Sequence, residues 1–289
     1  MKNKTIFLIF WLAVLLLMSV GCSQGQRTPV TVDTTREAQA PAVISDDTPI
    51  GQLPFVEYLG TAVDPRSGRT VEGYLIRHPR GFVSRSAEGK PEVKPKPPVS
   101  CFSFLAKGAK WKHVENWLVN PANGDGLPDS FILSNMTGDI AKWEDAADGV
   151  VGDGGYIDIL GDGSLTSATL SADYFAPDGV NEVYFGVLDA KTIAITVIWG
   201  IFSGPIQNRE LVEWDQVYDD AYNDWSSTGE PGKMDFENIA THELGHSCGL
   251  SDQYSSSCID VTMYGYASNG ETKKRTLEAD DITGISELY

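Results

Sequence analysis

An α+β domain is the fold that the sequence predicts for residues 101–289, and three observations predict it. Helical periodicity runs over 128–146, two β-rich segments follow at Val180–Leu188 and Lys191–Phe202, and the period turns helical again from Phe236. Strand and helix periods interleaved in this way require a sheet with helices packed on it. The chain can afford such a core. Of its 289 residues 42% are hydrophobic and 10% aromatic, which excludes a wholly disordered chain.

The elements follow in chain order. Lys2 and Lys4 precede an apolar run, Thr5–Val20, then Gly21 and Cys22. That run is shorter than the roughly 20 residues a membrane-spanning helix needs, and the order basic, apolar, small reads as a secretory signal over 1–21. Ser19-Val20-Gly21-Cys22 resembles the lipobox of prokaryotic lipoproteins, although Ser19 stands where that family prefers Leu, Val or Ile. The resemblance implies a lipidated Cys22 and an extracytoplasmic chain anchored at the cell surface. Plain secretion is the alternative. Residues 22–53, rich in Thr, Pro, Asp, Gln and Ala, read as a flexible tether.

Phe55–Val63 and Thr70–His78 flank Asp64-Pro65-Arg66-Ser67-Gly68, the composition of a hairpin turn. An isolated hairpin is marginal in water, so 54–83 is expected to dock on something. It is either an inhibitory prosegment or a small β module acting as a stalk. Residues 84–100 hold four prolines and three lysines and read as an extended linker.

Within 101–289, Pro128 suits the first turn of a helix. Ile132, Met136, Ile140 and Trp143 then recur at helical spacing, with Met136 and Trp143 as core contacts. Lys191–Phe202 is apolar enough for a buried strand, and Glu210–Tyr218 reads as another. Thr276 is the expected cap of a last helix whose first turn carries Glu278, Asp280 and Asp281. Lys and Arg number 22 against 40 Asp and Glu, a net charge of −18. A surface so acidic repels phosphate backbones and argues against a nucleic-acid partner.

The chemistry concentrates in Thr241-His242-Glu243-Leu244-Gly245-His246, which holds two of the four histidines. At about 100° per residue, His242 and His246 point about 40° apart and can share one ion. Glu243 lies beside that ion, where a general base for activated water belongs. Gly249 can end the helix in a left-handed turn. Asp252 then either serves as a third ligand or caps the loop. Cys248 and Cys258 bracket Asp252. As a disulfide they would close the ligand loop, and the competing role for either thiol is metal ligation. That pairing leaves Cys101 odd beside a lipidated Cys22. Asn123-Gly124-Asp125-Gly126 looks like part of a calcium loop, but Pro121 and Ile132 stand at its outer ligand positions, so it reads as a turn.

Downstream come Val261-Thr262-Met263-Tyr264-Gly265-Tyr266 and the acidic C-terminal helix. An extended zinc helix, a methionine turn and that helix, in this order, resemble the metzincin metalloproteases, specifically matrixin-like ones. The likeness is strong over 235–289, weaker over 101–234 and does not reach 1–100. It implies a twisted, mostly parallel sheet over a zinc-binding helix, with a small C-terminal subdomain across a cleft. It also implies one catalytic zinc on His242, His246 and Asp252, Glu243 as base and Met263 as the floor beneath the metal. Asp252 departs from the histidine most members carry. Tyr264–Asn269 would line the pocket for the residue after the scissile bond, with Tyr264 or Tyr266 either steadying the reacting carbonyl or packing in the core. Matrixin prosegments can place a cysteine on the zinc, a role open to Cys101. Matrixins also bind structural calcium in Gly-rich acidic loops, here Asp148, Asp153, Asp158 and Asp162. The activity implied is a zinc-dependent endopeptidase acting on peptides or proteins, as a monomer. The alternative is a non-catalytic zinc-containing surface module that binds proteins.

Overall fold

Residues 48–81 and 100–289 are described by a computed structural model. The expected signal segment, Cys22, the tether up to Asp47 and the linker up to Val99 lie outside the described residues. Seven strands form the main sheet: β1 (Val56–Val63), β2 (Thr70–Pro79), β3 (Trp117–Asn120), β4 (Gly163–Leu165), β5 (Asn181–Gly186), β6 (Thr192–Ile201) and β7 (Glu210–Asp219). Their spatial order is β1-β2-β6-β7-β5-β3-β4. Neighbours from β7 through β5 and β3 to β4 pair in parallel, and β6 runs antiparallel to β7. The mostly parallel sheet expected for 101–289 is therefore present, with one reversed strand at its end.

The hairpin of residues 56–79 extends this sheet. β2 pairs antiparallel with β6 from Glu72↔Gly200 to Pro79↔Thr192, and β1 covers β2. The alternation along β2 explains the docking. Tyr74 and Ile76 enter the core beneath the sheet, whereas Val71 and Leu75 join Val197, Trp199 and Val212 on the opposite face. Gly73 is needed between them, because a Cβ there would stand 2.6 Å from the Trp199 ring.

Among the described residues three α-helices pack on this sheet: α1 (Asp129–Ala146), α2 (Phe236–Ser247) and α3 (Ala279–Leu288). A short two-stranded sheet, β8 (Trp225–Ser226) with β9 (Met234–Asp235), leads into α2. Met136 and Trp143 face the core from α1 as their spacing predicts, and Trp143 Nε1 donates to the Thr241 carbonyl at 2.8 Å. Pro128 sits one place earlier than expected, as the N-cap of α1. Thr276 does not cap α3. Glu278 does, in a reciprocal box with Asp281. Thr276 lies too far upstream for its hydroxyl to reach the first free N–H groups, and its carbonyl accepts from Thr262 Oγ1 at 2.9 Å.

The expected Cys248–Cys258 disulfide is replaced by Cys101–Cys258, with Cα atoms 5.3 Å apart. The end of α2 turns Cys248 into the main core with Leu244 and Leu250, while Cys258 sits in a separate cluster with Val261, Tyr264 and Tyr266. Two side chains buried in different cores cannot meet. Peptide mapping under non-reducing conditions should recover Cys101 joined to Cys258, with Cys248 alkylated only after unfolding. Removing the bridge by Cys101→Ser should cost about 2–5 kcal/mol of stability.

On the upper face, Glu213 Oε1 and Asp173 Oδ2 are buried without hydrogen-bond partners. Burial, reinforced by Asp215, pushes the Glu213 carboxyl up to about 10. A carboxyl raised in the folded state stabilises fully below its unfolded value, and that stability is lost as pH climbs towards the folded value. Glu213→Gln should therefore raise the melting temperature at pH 8, by about 1–3 kcal/mol of stability, and change it little at pH 5.

Candidate metal centre and active site

Helix α2 is buried along almost its whole length beneath the sheet. Asp235 starts it by accepting from Asn238 N at 3.0 Å, and is itself held by Arg275 Nε at 2.8 Å. His242 and His246 lie one turn apart with ring centroids 4.9 Å apart. Gly245 between them has no alternative. A Cβ there would stand 2.2 Å from Met263 Sδ and 2.9 Å from the Trp143 ring. Met263 thus packs against the helix backbone beside the two histidines.

Beyond the helix, Gly249 turns the chain at a φ of 106° that suits glycine. The carbonyl of Leu250 then accepts from His246 Nδ1 at 2.9 Å, and the Thr262 carbonyl accepts from His242 Nδ1 at 2.7 Å. A carbonyl accepts only, so both protons sit on Nδ1 and both Nε2 atoms carry bare lone pairs. Those atoms lie 3.1 and 3.5 Å from Asp252 Oδ1. All three are buried, and none has a hydrogen-bond partner. The other Asp252 oxygen accepts from Tyr254 Oη at 2.7 Å.

Three convergent, unpartnered donors of this kind are costly unless something fills the point between them. Two imidazole nitrogens and a carboxylate oxygen form a zinc donor set, and their orientation by backbone carbonyls and a phenol supplies the outer shell such a site needs. The residues therefore fit zinc. Two of the three charge states agree: burial, helped by Lys274, lowers His242 to about 3. The carboxyl of Asp252 resists burial and is held well below its usual range by the two histidines. For His246, burial is outweighed by Asp252, which raises it.

Glu243 projects from the same helix and is fully buried, which pushes its carboxyl up to about 7. Its Oε2 accepts from Thr196 Oγ1 at 2.6 Å, and its Oε1 lies 3.0 Å from His78 Nδ1. His78 comes from β2, with its ring 4.2 Å from that of His242. Lys274 Nζ, buried on the other side, donates to the Tyr264 carbonyl and lies 3.4 Å from His78 Nε2.

His78, Thr196, Tyr254 and Lys274 were not singled out by the sequence. His78 alone left a signal, sharing a strand face with Tyr74 and Ile76. Of the two roles open to Tyr264 and Tyr266, packing is the one their surroundings favour. Their rings meet edge to face in a cluster with Tyr254 and Phe55, at centroid distances of 5.3 to 6.2 Å. Asp148 and Asp153 accept from Val150 N and Gly155 N within their own turns. The acidic oxygens that converge among the described residues belong instead to Asp173, Asp178 and Glu213.

Because Tyr254 orients Asp252, Tyr254→Phe keeps the ring packing and removes only the hydroxyl. It should weaken zinc binding by about 10-fold or more, as read by competition with a chromogenic chelator.

A family model described as matrixin matches residues 208–289. Matrilysin of Homo sapiens is 41% identical over 71 residues, which is 25% of this chain and 24% of that protein. Matrilysin of Rattus norvegicus is 37% identical over 67 residues, 23% of this chain and 24% of that protein. The chain thus spans about a quarter of the length of the curated relatives it matches. The segment that holds His242, Glu243, His246, Asp252 and Met263 is similar to the matrixin metalloproteases.

Proposed function

We propose that the chain is a zinc-dependent endopeptidase. The observation that carries this reading is the convergence of three buried, unpartnered donor atoms beside a carboxylate that is not one of them. When bound there, zinc would supply a Lewis acid for the scissile carbonyl and lower the pKa of water.

The protein's own groups supply the rest. His242, His246 and Asp252 hold the metal, and Tyr254 fixes which Asp252 oxygen faces it. A peptide lies extended across the metal site, main chain to main chain, on the side of β6 that β2 covers in this structure. Oε1 of Glu243 takes a proton from the attacking water and returns it to the leaving amine as the peptide bond breaks. Thr196 keeps the other oxygen occupied, so the carboxylate has one working face. Met263 keeps the floor apolar, and Tyr264–Asn269 line the pocket beyond the scissile bond. Cys22, if lipidated, places this activity at the cell surface.

A second reading draws on a specific observation: Glu243 is fully enclosed, with both oxygens engaged. A non-catalytic zinc-containing module that binds proteins would tolerate that enclosure.

The test uses the full chain, loaded with zinc and cut between residues 81 and 100. It should hydrolyse casein, and Glu243→Ala should keep its zinc while losing about 10³-fold in rate. A folded, zinc-bearing wild-type chain that leaves casein intact would transfer the assignment to the binding module.

A further inference from the structure

We infer that Lys274 sets the specificity of the candidate active site, by making the pocket beyond the scissile bond a receptor for an acidic side chain. The inference deepens the peptidase reading above and rests on it. Lys274 is fully buried, and its Nζ lies between α2 and the chain that follows Met263. On the helix side it stands 3.5 Å from Nδ1 of His242, a candidate ligand. On the other side it donates to the carbonyl of Tyr264, where the pocket wall begins. A substrate side chain that leaves the metal site between these two walls meets the ammonium.

That ammonium has no anion of its own. Lys273, Lys274 and Arg275 are consecutive, yet their surroundings differ. Arg275 is paired with Asp235 and Glu237, and Glu271 stands 3.9 Å from Lys273 Nζ. Among the described residues no carboxylate forms an ion pair with Lys274. Those of the site itself are engaged elsewhere. Asp252 faces the two histidines and accepts from Tyr254, while Glu243 accepts from Thr196 and meets His78.

Neutral acceptors meet only part of the need. An ammonium carries three donors, and the Tyr264 carbonyl takes one. His242 Nδ1 gives its own proton to the Thr262 carbonyl, so it does not accept. His78 Nε2 lies 3.4 Å away, with a bare lone pair because its Nδ1 proton faces Glu243. A neutral imidazole on β2 thus stands beside the ammonium, on the side of β6 where the peptide brings a side chain. A desolvated cation met only by neutral dipoles gains most from a carboxylate, through a charge-assisted hydrogen bond. A basic side chain there is repelled, and an apolar one leaves donors unpaired.

The experiment uses the full chain, loaded with zinc and cut between residues 81 and 100. Three quenched fluorescent peptides differ only in the residue after the cleaved bond, which is Glu, Gln or Lys. The Glu peptide should exceed the Gln peptide in kcat/KM by about tenfold or more, with the Lys peptide slowest. Lys274→Met should bring the Glu and Gln values together. A wild-type value for Glu at or below that for Gln overturns the inference and leaves the peptidase reading intact. A preference for Glu that survives in Lys274→Met also overturns it, because another group then reads the acid. Should the variant not fold, the wild-type comparison decides alone, since Glu and Gln match in size and differ in charge. If no peptide is cut, the peptidase reading fails and fluorescence anisotropy of the same peptides decides. Tighter capture of the Glu peptide then supports an acid-binding pocket, and equal or absent capture overturns it.

Discussion

Two hydrogen bonds from imidazole Nδ1 to backbone carbonyls underlie the whole site. They fix the tautomer of His242 and His246, and so decide that both Nε2 atoms present lone pairs to Asp252. The carbonyls are themselves held. Leu250 is placed by the turn at Gly249, whereas the Thr262 and Met263 amides donate to Asp281 at 2.7 and 3.2 Å. The C-terminal helix therefore reaches the donor set through one carboxylate and one carbonyl. The ligand loop is tied down separately by Cys101–Cys258.

Packing and electrostatics act on the same few atoms. Gly245 lets Met263 and Trp143 press against α2, which leaves the helix no freedom to rotate its histidines away. The buried ammonium of Lys274 lies 3.5 Å from His242 Nδ1, and together with burial it disfavours a protonated ring. Loss of the ammonium's own solvation is offset in part by the Tyr264 carbonyl. Burial and Lys274 thus keep His242 neutral and the histidines keep Asp252 anionic, the states a cation requires, whereas Asp252 favours the protonated form of His246.

What the sequence disclosed was what local geometry controls. Helical spacing brought His242 and His246 together, a glycine marked the turn before Asp252, and the Pro- and Gly-bearing turn at 64–68 outlined the hairpin. The misses are tertiary. Cys248 and Cys258 lie ten positions apart and yet face different cores, so sequence proximity misled where Cys101, 157 positions from Cys258, was the partner. Thr276 has the chemistry of a cap but the wrong offset. The docking of 56–79 on β6 is a long-range pairing, and nothing within the hairpin names its partner strand. Only with that pairing does His78 arrive beside Glu243. Lys274, within a run of basic residues, carries no local mark of burial.

β6 reads Thr-Ile-Ala-Ile-Thr-Val-Ile-Trp-Gly-Ile, without a charge or a proline, and all but its last residue is buried. Natural sheets protect such an edge, since an uncharged apolar strand with open N–H and C=O groups templates the addition of another chain. The hairpin supplies that protection here, and its outer strand β1 carries Glu57 and the positive-φ Gly60, where the pairing with β2 shifts register. A molecule stripped of its hairpin would be sticky towards its own copies as well as towards peptides. Its working lifetime would then be set by self-association rather than by unfolding, and a peptide bound along β6 would act as a solubiliser.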